Sequence, residues 1–176
     1  MLTVPEYCKW TDSNHYMQTL AMSCGPTSAA NFSIALKGGG ELSPGELKQI
    51  VRIAVEDEGG KTIDDCLNRA GFYGEGLGKA IDSIISKPRP VIWKYGTAEM
   101  AALISDRMRP TMLVVQFWTY EHWVVCLGTQ EDGKVYFQDP GYAQEWSLTM
   151  EDVKKGNYNP DGSCVFKQNG YFYFDA

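Results

Sequence analysis

The spacing of apolar residues changes near the middle of the chain, and this is what most constrains the fold. Up to about residue 108 apolar positions recur with a helical period. Beyond Pro110 they gather into short β-branched and aromatic runs. In the front half, "LSPGELKQIVRIAVEDEGG" opens at Leu42 with a full helix start. Ser43 is an N-cap candidate, Pro44 suits the first helical position and Glu46 completes a capping box. Leu42 and Leu47 form a hydrophobic staple, and Leu47, Ile50, Val51 and Ala54 make one apolar face. An earlier helix over 24–36 carries Ala29, Ala30, Phe32, Ile34 and Leu36 and is stopped by Gly38, Gly39 and Gly40. A shorter one follows Thr62, with Ile63, Cys66, Leu67 and Ala70. Residues 71–79 are glycine-rich and read as a loop, with a short helix over 78–86 that "KPRP" breaks. Thr97 opens a further helix holding Met100, Leu103, Ile104 and Met108. In the back half "TMLVVQFW", "HWVVCLG", "KVYFQD", "CVFKQ" and "YFYF" read as strands. The expected class is α+β, with N-terminal helices packed on a C-terminal antiparallel β-sheet. Without an internal repeat, low-complexity stretch or linker, residues 1–176 read as a single domain.

Charge and cysteine content narrow the function classes. The formal charge is −6, so the basic footprint of a nucleic-acid binder is missing. The longest apolar run, 112–118, is strand-sized and far short of the roughly 18 residues of a membrane span. The first residues hold no apolar core of a signal peptide, which leaves the cytoplasm or a signal-less secretion route. Cysteines stand at 8, 24, 66, 126 and 164. Their odd number and the lack of a C-x-x-C pair argue against a disulfide framework or a compact zinc site, and for free thiols in a reducing compartment.

One of these thiols stands apart. In "QTLAMSCGPTSAANF" Cys24 falls where the first helix begins, after Ser23 as a possible cap and before Pro26 in the first turn. A thiol there faces the positive end of the helix dipole and unpaired N–H groups, both of which favour thiolate. Gly25 would let a substrate backbone approach. The same position also suits a small buried residue at a tight helix start.

A nucleophilic thiol needs a base, and the chain has two histidines. His15 lies in the polar stretch "TDSNHYM", which reads as a solvent-exposed loop. His122 opens the strand "HWVVCLG" and is the candidate base. The base in turn needs an orienting group, and Asp139 ends the next strand in "VYFQDPG". If residues 129–132 form a four-residue connection, His122 falls directly opposite Asp139. If "DG" at 132–133 makes a two-residue turn, Asp139 lies opposite Cys126 instead. The chemistry requires the longer loop; Asp132, a turn residue, is the alternative partner. Gln18, six residues before Cys24, supplies a side-chain amide that with the Cys24 N–H can hold an oxyanion. The stretches 72–78 and 117–121 either line a cleft or serve as turns and core.

Gln–x5–Cys–Gly at a helix start, then a His opening a strand and an Asp ending the next, resembles the papain-like cysteine peptidase superfamily. "SCGPTSAANF", "HWVVCLG" and "YFQDP" look most like the small bacterial peptidases related to the double-glycine leader peptidases of bacteriocin exporters. The resemblance implies Cys24 as nucleophile, His122 as base, Asp139 as its orienter and Gln18 as oxyanion donor. It also implies a papain-like fold, a peptide or protein substrate, and no metal or cofactor. Two features depart from the exporter peptidases: Ser23 stands where they usually carry an acidic residue, and no transporter spans are present. Stand-alone domains of this kind also resemble effector or toxin modules, some of them deamidases, which can be paired with an immunity or inhibitor protein. The expected activity is hydrolysis of an amide bond, by a peptidase or else by a deamidase. An inactive peptide-binding domain is the reading from a different class, and the presence of Gln18, Cys24 and His122 speaks against it.

Overall fold

The computed structural model describes residues 3–85, 90–95, 110–117, 120–159, 163–166 and 170–175, with side chains described for all of these except 90–95, 116–117 and 170–175. The helix expected from Thr97 to Met108 lies outside the described residues.

A short antiparallel hairpin, β1 (Cys8–Trp10) and β2 (Tyr16–Gln18), leads into α1 (Cys24–Lys37). α1 is buried on every side from Cys24 to Ile34, the signature of a helix running through a core. Its C-terminus is closed by Gly38 in the left-handed region at φ +89°. α2 (Pro44–Val55) starts as its sequence dictates. Ser43 Oγ accepts from the Glu46 N–H, the Glu46 carboxylate accepts from the Ser43 N–H, and Pro44 opens the first turn. α3 (Ile63–Asp65) is capped by Thr62 and runs on as a π-helical turn over Cys66–Ala70.

The glycine-rich stretch is a correction. α4 spans Gly74–Ile84 and takes in most of the segment expected to be loop. One of its glycines is there for packing. A Cβ on Gly76 would stand 2.5 Å from the Ala54 carbonyl oxygen, so only glycine lets α4 lie this close to α2. Packing outweighs the roughly 1 kcal/mol propensity cost of a glycine in a helix.

The rest is mainly sheet: β3 (Pro90–Tyr95), β4 (Thr111–Phe117), β5 (Glu121–Thr129), β6 (Val135–Gln138), β7 (Trp146–Leu148), then α5 (Met150–Lys155), β8 (Cys164–Phe166) and β9 (Gly170–Asp175). The order is β3-β9-β4-β5-β6-β7, with β8 also on β4, and every pairing is antiparallel. Side chains of β4 and β5 alternate between two buried layers. Met112, Val114, Trp123 and Val125 pack with the helices, while Leu113, Val115, Val124 and Cys126 pack with Phe137, Val153, Tyr158 and Phe166. The architecture is thus α+β, helices first and antiparallel sheet after, as the sequence predicts.

The β5–β6 register differs from both alternatives the sequence offered. Thr129 pairs with Val135 and Gly128 with Tyr136, so residues 130–134 form the connection. Continued unchanged, that register would set Asp139 opposite Val125, on the face away from His122. One extra residue between Cys126 and Gly128 prevents this. Past the bulge Cys126 pairs with Phe137 and Val125 with Gln138, so the register continues to Asp139 opposite Val124. His122 lies two residues from Val124 on the same face. A one-residue bulge flips the parity of every later pairing, and Gly128, at φ +89°, supplies the backbone it needs. Asp139 therefore reaches His122 diagonally instead of from directly across the ladder.

Candidate active site

The beginning of α1, the entry to β5, the end of β6 and the end of β2 meet at one cavity of about 750 Å³, and Gln18, Cys24, His122 and Asp139 all line it. The loop 19–22, Tyr120 and Tyr142 also line it.

Cys24 is the first residue of α1. The first intrahelical bond runs from the Thr27 N–H to the Ser23 carbonyl. The N–H groups of Cys24 and Gly25 are thus the first-turn donors without an acceptor inside the helix, since Pro26 has none. Ser23 is not the side-chain cap expected of it. Its hydroxyl turns away, 2.8 Å from the Tyr7 carbonyl, and no side chain caps the helix. Gly25 also differs from expectation: it faces the core. A Cβ there would lie 3.1 Å from Leu77 and 3.3 Å from Phe72, so glycine seats the helix start against α4 and its preceding loop.

His122 Nε2 and Asp139 Oδ1 are 2.6 Å apart, and Cys24 lies near enough to the His122 ring to help raise its pKa. Because Nε2 is engaged by Asp139, Nδ1 is the ring nitrogen left for the thiol. Asp139 is 1% exposed and fully engaged. Oδ1 also accepts the Gly141 N–H at 2.8 Å, and Oδ2 accepts the Tyr158 hydroxyl at 2.8 Å. Burial alone would lower the His122 pKa. The bond to Asp139, the nearness of Cys24 and their negative charges outweigh it and raise the pKa to about 10. For Asp139, burial pushes the carboxyl up. The bond from His122, its positive charge, the Gly141 N–H and the Tyr158 hydroxyl together hold it below the usual value. The pair is built to carry imidazolium beside carboxylate.

Gln18 sits at the cavity, tied down at both ends. Its backbone N–H donates to the Pro140 carbonyl at 2.7 Å, which fastens β2 to the loop after Asp139. Its amide nitrogen donates to the carbonyls of Leu20 at 3.0 Å and Ala21 at 3.3 Å, and Oε1 is buried with no partner among the described residues. The amide thus borders the same cavity as Cys24, with its donors spent on the loop. Asn31 of α1 braces this strand: its side chain accepts from the Tyr16 N–H at 2.7 Å and donates to the Tyr16 carbonyl at 3.0 Å.

His15 corrects a sequence expectation. It is 1% exposed, not solvated, and its Nε2 donates to the Tyr142 carbonyl at 3.0 Å. It supports a wall of the cavity from behind. Asp132 lies in the exposed β5–β6 turn, bonded to the Lys134 N–H and the Tyr136 hydroxyl, away from His122. Sequence reasoning missed Asn31, Gly141 and Tyr158. The "DPG" turn carried a signal for Gly141, since an Asp side chain commonly accepts the N–H two residues on. Nothing local marks Tyr158.

The fold, helices followed by an antiparallel sheet, has a counterpart among solved structures. No protein-family profile and no curated protein matches the chain. Among solved structures, the peptidase domain of Streptococcus ComA, described as a bi-functional ABC transporter involved in a quorum sensing pathway, superimposes with a TM-score of 0.58. The identity is 14%, over 90% of this chain and 95% of that one. The Pseudomonas avirulence protein AvrPphB aligns at a TM-score of 0.40 with 14% identity, over 87% of this chain and 91% of its own. Among the described residues no helix is long and apolar enough to cross a membrane.

Proposed function

We propose that the chain is a papain-like cysteine hydrolase that cleaves a peptide bond in a peptide or protein substrate. The observation that carries this reading is the His122–Asp139 pair turned toward Cys24 at the open start of α1, in one cavity. The ComA match is to a peptidase domain, which supports the same chemistry on this fold.

Cys24 Sγ, as thiolate, attacks the substrate carbonyl carbon and forms a C–S bond, pushing the carbonyl electrons onto oxygen. The first-turn N–H of Cys24 and the Gln18 amide stabilise that oxyanion. For this, Gln18 gives up its longer bond, to Ala21, and turns one N–H toward the cavity. The tetrahedral intermediate collapses as His122 protonates the leaving amine, which leaves a thioester on Cys24. Water then gives a proton to His122 and attacks the thioester; the C–S bond breaks, releasing the acid and restoring the Cys24 thiolate beside the His122 imidazolium. Asp139 keeps the ring oriented and its protonated form stable throughout.

Incubation with a proteome-derived peptide library, read by mass spectrometry, tests the proposal. The wild-type protein is expected to generate new termini, Cys24→Ala none, and His122→Ala at most a trace. Uncut peptides with glutamine converted to glutamate, a gain of about one mass unit, would replace peptidase with deamidase. Full activity in Cys24→Ala would overturn the reading.

A further inference from the structure

We infer that Tyr158 is a positioning residue for the Cys24–His122–Asp139 site: its hydroxyl, donated to Asp139 Oδ2, fixes the carboxylate so that Oδ1 faces His122. This rests on the function proposed above and adds a member to its machinery.

A carboxylate beside a histidine can rotate about its Cβ–Cγ bond and present either oxygen, or can swing away. Here both oxygens are assigned. Oδ1 takes His122 Nε2 and the Gly141 N–H, and Oδ2 takes Tyr158. The Gly141 bond comes from two residues along the same turn and moves with it. Tyr158 reaches in from beyond α5, 19 residues away in sequence, and is an external reference point. It is rigid enough for the task. The residue is 4% exposed, with its ring edge-on to Phe137 at 5.3 Å and to Phe166 at 6.0 Å. Its N–H donates to the Cys164 carbonyl at 2.8 Å, and its own carbonyl accepts Trp146 Nε1 at 3.1 Å. Burial and the adjacent carboxylate hold the phenol far above its ordinary range, so it stays a donor wherever Asp139 is ionised. The hydroxyl also gives Oδ2, in a nearly waterless place, the partner whose lack would be costly. Among the described residues, the other titratable groups facing this pair are His122, Cys24, Tyr142, Cys164 and Tyr120.

Tyr158→Phe keeps the aromatic packing and removes only the donor. Its kcat is expected to fall about 5- to 20-fold with KM unchanged, because the hydroxyl touches no substrate. The acid limb of the pH profile is expected to move upward by roughly half a pH unit or more, since the carboxylate loses a bond that favours its charge. In an Asp139→Ala background Tyr158→Phe is expected to cause no further loss, because the hydroxyl then has nothing to hold. Substituting 3-fluorotyrosine at 158 strengthens the donor and retains the packing, and is expected to move the acid limb the opposite way. The pH dependence of Cys24 alkylation by iodoacetamide gives the same readout without a substrate. A folded Tyr158→Phe with wild-type kcat and acid limb overturns the inference, as does a fluorotyrosine protein with an unmoved limb. Failure of the functional reading itself shows separately, as an unreactive Cys24 in the wild-type protein.

Discussion

Replacing Asp139 with Asn tests the electrostatic core of the site with little change in shape. Asn Oδ1 can still accept from His122 Nε2 and the Gly141 N–H, while its amide nitrogen meets Tyr158, whose hydroxyl can turn to accept. What disappears is the negative charge 2.6 Å from the imidazole nitrogen. Both side chains are largely withdrawn from solvent, 12% and 1% exposed, so screening is weak. A hydrogen bond to a charged group contributes about 1.5–3 kcal/mol. At about 1.4 kcal/mol per pH unit, its loss corresponds to about 1–2 units of pKa. The His122 imidazolium, held to about pH 10 in the wild-type protein, is then expected to deprotonate near pH 8–9. The alkaline limb of turnover should fall by the same interval, with circular dichroism confirming the fold. Stability should follow in sign. The raised His122 pKa stabilises the folded chain fully below its unfolded value of about 6.5 and loses that contribution as pH rises through about 10. In Asp139→Asn the loss is complete about 1–2 units earlier. The lowered Asp139 pKa contributes above the ordinary carboxylate range and is lost as pH falls through its depressed value. The wild-type advantage over the variant should therefore narrow in acid. A folded Asp139→Asn protein with an unmoved alkaline limb and near-normal rate would refute the pairing argument.

Iodoacetamide near pH 6, read by peptide mapping, should label Cys24 first. Cys8 and Cys126, whose thiols burial pushes up to about 12, should stay unmodified; faster labelling of either would contradict the site. Gly76→Ala should destabilise the protein by about 1–3 kcal/mol, because its Cβ would meet the Ala54 carbonyl oxygen at 2.5 Å. An unchanged Tm would mean that α2 and α4 can part at no cost.

What the sequence by itself determined is local. The capping box of Ser43 and Glu46 acts within four residues, and Gly38 ends α1 because only glycine readily adopts its backbone. The strands of the back half show as β-branched and aromatic runs between turn residues. The order of Gln18, Cys24, His122 and Asp139 along these elements was legible because helix starts and strand ends impose chemistry on whatever residue occupies them. Tertiary structure decided the matters that depend on distant partners. Residues 71–79 look like loop until α2 supplies, at the Ala54 carbonyl, a backbone that a helix can approach this closely only with glycine at position 76. His15 looks solvated until the Tyr142 carbonyl covers it. The meeting of His122 and Asp139 hangs on parity: with one residue more or fewer in β5 the carboxylate would face the other side of the sheet. No turn motif reports that, because a bulge is set by how two strands pack against both layers of core. Tyr158 is invisible for the same reason, since its only link to Asp139 is a hydroxyl carried there by the fold.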